Sequence, residues 1–352
     1  MIKRMMKDPV GRGLFLWISV FLSFVIALIL WVVSLRLIDN QEAQQMAQRW
    51  SPGGGSAQIS CFFSTNTGIT PDRIKEIEHN LDSKLQEASI VSESQNPGAR
   101  MWADAYSAYG KITVKSHLGN ITADAIGIGG DFFLFHPLKL LRGSFFSGND
   151  LMQDYCVLDE DAAWRLFGSN DIAGQIVYIS GIPHMVMGVI ERAEGRLEES
   201  AGLDSSVIYV SYDSLDKYGT HSGINHYEIV MPDPVKDFAA NCIKELFGID
   251  ELEMEIIDNT NRFSMLNRIK LIKEFGTRSM NGKAIIYPYW ENIARGVEDI
   301  LLVLTLFMLL FIAYPVIVIG IKCIIRWKHR TWSIKSIWNK IRGGKFFERK
   351  II

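Results

Sequence analysis

Two kinds of hydrophobic pattern share this chain. Near each end lies an unbroken apolar run, GLFLWISVFLSFVIALILWVVSL between Arg12 and Arg36 and ILLVLTLFMLLFIAYPVIVIGI between Asp299 and Lys322, neither carrying a charge. About 20 such residues carry a helix across a bilayer, so transmembrane helices are predicted over 13–35 and 300–321. The first run exceeds the roughly 7–15-residue core of a signal peptide and no Ala-x-Ala site follows closely, which favours an uncleaved helix. Its polar positions are Ser19, Ser23 and Ser34; the second run has Thr305 and a Tyr314-Pro315 step, where a kink is expected.

Between the runs the pattern is that of a water-soluble domain. LIDNQEAQQMAQRW stays helix-compatible and predicts a helical stalk over 36–50, ended by SPGGGS. AQISCFFST reads as a strand. In TPDRIKEIEHNLDSKLQEA, Thr70 stands as N-cap, Pro71 takes the first helical position, and Ile74, Ile77, Leu81 and Leu85 line one face. A second strand-helix unit appears in YEIVMPDPVKDFAANCIKELFG, with Asp233 expected as N-cap, Pro234 as first residue and Phe238, Cys242, Leu246 and Phe247 aligned; LEMEIID supplies another strand. Two such units around one sheet make an α+β layer. From about 125 to 220 the texture changes to short strands and turns. There LDEDAAWRLFGSNDIAGQIVYISGIPHMVMGVIE predicts a helix capped by Asp159 and ended by Gly168, then a hairpin about Gly181. RFSMLNRIKLIKEF looks helical. Tyr287, Tyr289 and Trp290, just ahead of the second run, suit a membrane interface.

Charge adds an orientation. Lys3, Arg4, Lys7 and Arg12 precede the first run, and ten basic residues against Glu348 alone follow the second. The positive-inside rule puts both termini in the cytoplasm and the central segment outside. Without the 15 flanking basic residues and the two acids among them, 22 basic residues face 37 acidic ones. That acidity argues against nucleic acid or anionic lipid as a partner of the outer segment. In the tail, Ile334, Ile337, Trp338 and Ile341 recur at helical spacing among basic residues, a candidate surface for the inner leaflet or a partner protein.

Candidate chemistry is sparse. The sequence contains no phosphate loop, no G-x-S-x-G, no H-E-x-x-H and no C-x-x-C, so no catalytic or cofactor residues are assigned. His221, His226 and Glu228, in THSGINHYE, fit no standard metal spacing and read as a solvated loop. His184 reads as a packing or surface residue of the hairpin. Cys61 and Cys242 sit in apolar patterns typical of buried free thiols, and no disulfide framework is indicated.

The stretches GGDFFLFHPLKLLRGSFFSGND, CVLDEDAAWRLFG and DIAGQIVYISGIPHMVMGVI, taken in order, resemble the MacB-like periplasmic core domain of FtsX-type ABC transporter permeases. The matching positions are Asp131 and Phe133, Gly143, Asp150, Ala163 with Leu166, Phe167 and Gly168, Gly174, and Val186 with Gly188 and Val189. Ser144 stands where the family has Arg, and Ala173-Gly174-Gln175 replaces Ile-Gly-Lys. The resemblance implies a porter-like α+β subdomain, over 51–124 and 221–276, holding a β-rich sabre-like insert over 125–220. A cytoplasmic N-terminus over 1–12, a connector over 277–299 and a basic tail over 322–352 complete the expected layout. Family permeases carry four spans, two more than are read here. The implied function is a non-catalytic, permease-like or accessory subunit of a bacterial ABC assembly, associated with an ABC ATPase and another permease chain. Tyr314, Pro315 and the tail's apolar positions are its candidate partner-binding residues. The alternative is a membrane-anchored regulatory or scaffolding protein that binds an extracellular partner.

Overall fold

A computed structural model of the chain describes residues 9–90, 99–203, 205–275 and 285–342, the side chains of 9–12, 329–337 and 339–342 excepted. It forms two compact units, one of residues 38–299 and one that joins 1–37 with 300–352.

The larger unit is built on a mixed sheet. After helix α1 (Pro9–Asp39), a 3₁₀ turn leads to the short helix α2 (Met46–Trp50), then β1 (Ser56–Phe63), α3 (Pro71–Glu87), β2 (Ala103–Lys115) and β3 (Asn120–Gly130). The middle of the chain adds α4 (Phe132–Phe135), β4 (Leu140–Gly143), β5 (Tyr155–Asp159), α5 (Glu160–Phe167), β6 (Ile176–Ile179) and β7 (Ile182–Ile190). Then come α6 (Arg196–Ser200), β8 (Val207–Ser211), α7 (Tyr212–Tyr218), β9 (Thr220–His221), β10 (His226–Pro232), α8 (Phe238–Phe247), β11 (Met254–Asp258), α9 (Met265–Lys270) and α10 (Tyr289–Arg342).

Strand order is β11-β1-β10-β2-β3-β8-β5-β7-β4, and β6 pairs with both β2 and β7. Six of these strands therefore close on themselves, in the circuit β2-β3-β8-β5-β7-β6-β2. The strand β2 belongs to both parts: Ala103–Ser107 pair with β10 of the open sheet, and Val114–Lys115 pair with β6 of the ring. Its burial changes accordingly. Residues 103–108 are largely covered on both faces, whereas 109–115 alternate, with Ile112 and Val114 inward and Lys111, Thr113 and Lys115 outward.

One face of the open sheet packs under α3 and α8, whose apolar stripes, Ile74, Ile77, Leu81 and Leu85 in α3 and Cys242, Ile243 and Phe247 in α8, are buried with Ile59, Cys61 and Tyr227. The opposite face carries Met46, Ala47, Phe132, Phe135 and Trp290. Caps follow the chain chemistry. Thr70 accepts the Arg73 amide at 3.3 Å, Asp159 accepts the Ala162 amide at 2.7 Å, and Gly168 ends α5 in the left-handed conformation. A second glycine, Gly143, has φ +81° and lies opposite Gly188, where a β-carbon would come 2.1 Å from the Met187 carbonyl oxygen. That close approach accounts for both glycines of the motif.

Three local expectations need correction. The stalk is not one helix, because α1 stops at Asp39 and the Met46 amide donates to Gln58 Oε1 at 2.7 Å, tying α2 into the core. The second unit's helix starts at Phe238, not Pro234; Asp233 still accepts the Ala239 amide at 3.0 Å, but from outside the helix. RFSMLNRIKLIKEF forms only α9 and a 3₁₀ turn. Cys61 and Cys242 are free and buried, as their apolar surroundings imply; Cys156 is free and buried too, and Cys323 is exposed.

In the smaller unit, two helices are long and apolar enough to cross a membrane, and they share hydrogen bonds. The Ser19 and Tyr314 hydroxyls are 2.7 Å apart, and Ser23 Oγ donates to the Phe311 carbonyl at 2.6 Å. Phe311 lies four residues before Pro315, which has no N–H to give it. Ser23 thus satisfies the carbonyl that the proline releases.

Candidate functional site

The helix that contains the second apolar run begins at Tyr289, and its first turns are held by a buried ionic cluster. Glu291, Arg295 and Glu298 are spaced four and three residues apart, so they share one helix face. Against them the turn after β11 presents Arg262, whose Nη1 and Nη2 donate to Glu291 at 2.6 and 2.8 Å and whose Nε donates to Glu298 at 3.0 Å. Arg262 Nη1 also donates to Asn259 Oδ1 at 3.1 Å. Arg295 donates to Glu291 at 2.6 Å and to Glu255 of β11 at 2.8 Å, and its guanidinium lies 3.8 Å from the centre of the Tyr287 ring. The Tyr287 hydroxyl donates to Glu255.

Arg262, Glu291, Arg295 and Glu298 are each 5% exposed or less. Desolvation alone would depress the Arg262 pKa, but the two carboxylates hold it above its ordinary value. Buried ion pairs add little net stability, because their desolvation cost offsets their attraction. They do select geometry, since a shifted helix would strand charges in the core. The arrangement fixes the first turns of α10, residues 289–299, against the rest of the domain.

Aromatic side chains reinforce that anchorage. Trp290 packs 4.4 Å from the His136 ring, 5.3 Å from His226 and 5.6 Å from Phe132, centre to centre, and the Tyr289 and Tyr209 hydroxyls are 2.8 Å apart. Tyr287 and Trp290 are thus buried in the domain core, and Tyr289 is half-buried. The membrane-interface expectation for these three residues is corrected: their rings pack inside the fold, where the Tyr287 and Tyr289 hydroxyls find partners.

The motif residues are mostly scaffold. Asp131 pairs with Arg100, Phe133 stacks on Phe145 at 4.3 Å, and Asp150 accepts the Ser147 amide at 2.9 Å. Ala163, Leu166, Val186 and Val189 are buried in one core, with Phe167 against its edge, and Gly174 adopts a positive φ. Tyr314 is engaged with Ser19, Pro315 lies within α10, and Trp338 is 64% exposed. The backbone of Ile334, Ile337 and Ile341 is helical; their side chains lie outside the described residues. His184 is buried, its Nε2 3.0 Å from Ser214 Oγ. His221 pairs with Asp216 at 3.0 Å, apart from His226 and Glu228. Those two are not in a solvated loop, as expected, but buried on one face of β10. Sequence reasoning passed over Arg262 and its partners, although E-x₃-R-x₂-E directly before an apolar run is a charged helical stripe next to a nonpolar environment.

Comparison with known proteins identifies the family of the domain. The family model of the MacB-like periplasmic core domain matches residues 17–240. The macrolide export ATP-binding/permease protein MacB of Chromobacterium violaceum is 31% identical over 77 residues, 21% of this chain and 12% of that protein. Its namesake from Vibrio parahaemolyticus is 25% identical over 107 residues, 30% of this chain and 16% of that protein. The matched part therefore spans less than a fifth of the length of these relatives. Among solved structures, the periplasmic region of MacB from Actinobacillus actinomycetemcomitans matches with a TM-score of 0.39 at 17% identity, covering 64% of this chain and 95% of that one. The extracellular domain of the transporter YknZ from Gram-positive bacteria matches with a TM-score of 0.36 at 17% identity, covering 57% of this chain and 99% of the other. With a family match over more than half its length and two apolar helices flanking the domain, the chain belongs to the MacB-like periplasmic core domain family of ABC transporter permeases.

Proposed function

We propose that this chain is a non-catalytic, permease-like subunit of a MacB/FtsX-type ABC assembly, in which both termini are cytoplasmic and the domain of residues 38–299 works outside the membrane. The Arg262 cluster carries this reading. It grips the first turns of the same helix that holds the second apolar run, the place where movement of a transmembrane helix would enter the domain. In this scheme an ABC ATPase moves the spans from the cytoplasmic side, the exposed Trp338 belongs to the docking surface for it, and the acidic domain acts on an extracytoplasmic substrate or partner. Names of relatives that include macrolide export make such an efflux assembly the first to test.

The test is purification of the tagged full-length chain from its native membrane in mild detergent, with co-purifying proteins identified and the intact complex weighed by native mass spectrometry. Recovery of an ABC ATPase together with a further permease chain is expected. Recovery alone, or with secreted proteins only, would overturn the transporter reading in favour of a membrane-anchored scaffold.

A further inference from the structure

Behind Trp290 the domain contains a second buried polar centre, distinct from the Arg262 cluster. His226 and Glu228 lie two residues apart on β10 and so point to the same face of the sheet. His136, which follows α4, reaches the same spot from a different part of the chain. His136 Nε2 contacts Glu228 Oε1, His226 Nε2 lies 3.9 Å from Glu228 Oε2, and one ligating atom from each residue falls within 4.8 Å of the others. All three are 2% exposed or less.

Protein groups alone leave this centre incompletely paired. His226 presents Nδ1 to Ser107 Oγ at 3.3 Å, which turns its Nε2 toward the carboxylate, yet that nitrogen has no hydrogen-bond partner among the described residues. An unmet buried nitrogen beside a buried carboxylate is costly, and it calls for an occupant.

We propose that His136, His226 and Glu228 bind a divalent transition-metal ion of the zinc class, as a structural centre at the core of the domain. Two imidazoles and a carboxylate match the borderline ligand preference of such ions. Metal bonds of about 2.1 Å at tetrahedral angles place neighbouring ligand atoms roughly 3.4 Å apart, so the side chains need adjust by only about an ångström. Supporting hydrogen bonds are already in place. Ser107 orients the His226 ring, Ser60 Oγ reaches Glu228 Oε2 at 3.5 Å, and Asn259 holds Ser60 at 2.8 Å. The rings of Phe62, Phe132 and Trp290 exclude solvent around them. Such enclosure suits a structural rather than a catalytic ion, taken up as the domain folds.

The test uses the full-length chain in detergent, carrying a purification tag without histidines and Cys323→Ser to remove an exposed thiol, from cells grown with added zinc or cobalt. Elemental analysis after washing with chelator-treated buffer is expected to give one ion per chain, and the cobalt form is expected to absorb in the visible as a low-coordinate nitrogen–oxygen site. His226→Gln and Glu228→Gln should each abolish retention, whereas His221→Gln should not. Should the variants fail to fold, metal content and the cobalt spectrum of the parent chain decide. Far less than one ion per chain without a cobalt band, or retention that survives both substitutions, would overturn the proposal.

Discussion

Asp104 lies buried on β2 near Glu78 and Tyr227, and burial followed by the Glu78 charge pushes its pKa up to about 8. The unfolded chain gives up this proton near pH 4, so between about pH 4 and 8 the folded state holds a proton that the unfolded state has lost. Stability from this group is full below that window and falls as the pH rises through it. Asp104→Asn is therefore expected to stabilise the protein by about 1–3 kcal/mol at pH 8 and much less at pH 5, read as unfolding temperatures at the two values. Arg262 predicts the opposite sign. Its replacement by Met leaves Glu291 and Glu298 buried with one cation fewer, which should cost about 3–5 kcal/mol in chemical denaturation. Arg262→Lys should fall between, because an ammonium cannot reproduce the forked donation to both carboxylates.

Among elements, the short helix α5 depends on its first residue. Asp159 accepts the Ala162 amide at 2.7 Å and the Val207 amide at 2.8 Å, so it caps the helix and ties it to β8. Asp159→Ala should lower stability by about 2 kcal/mol and speed hydrogen exchange at both amides. For the membrane helices, Ser23→Ala should weaken association by about 0.5–1.5 kcal/mol, whereas in a Pro315→Ala background, where the backbone reclaims the Phe311 carbonyl, the same change should have little effect. A double-mutant cycle in micelles reads the difference. The elements legible in the sequence were those with local signals: α3 from its apolar spacing, α5 from its cap and glycine stop, the β6–β7 hairpin from its turn. Those that were not legible depend on distant partners. His226 and Glu228 look polar and exposed along the chain, and only pairing with Phe62, Ser60 and Ser107 buries them. His136, about 90 residues away, carries no local signal for joining them. The start of α8 was misplaced because Asp233 and Pro234 imitate a helix start that the chain takes up only at Phe238.

At the scale of the whole molecule, the tail is where the proposed assembly is most exposed to test. If it docks on an ATPase, Trp338→Asp with Ile341→Asp should abolish co-purification of that protein while membrane insertion persists, as judged by carbonate extraction. If neutralising the tail's basic residues, or raising salt, instead releases the tail by itself, lipid attraction accounts for it. Shared membership of β2 in the open sheet and in the closed ring bears on how the domain answers a load. Eleven residues of β2 pair with β3 in one uninterrupted ladder, with hydrogen bonds perpendicular to the strands. Tension along β2 would shear all of these bonds at once, whereas tension across β6, with two pairs to β2, would peel them one by one. The domain should therefore be stiff to a pull that runs lengthwise through β2 and compliant at its β6 seam, so that a stroke passed along that axis moves the ring as a body before opening it.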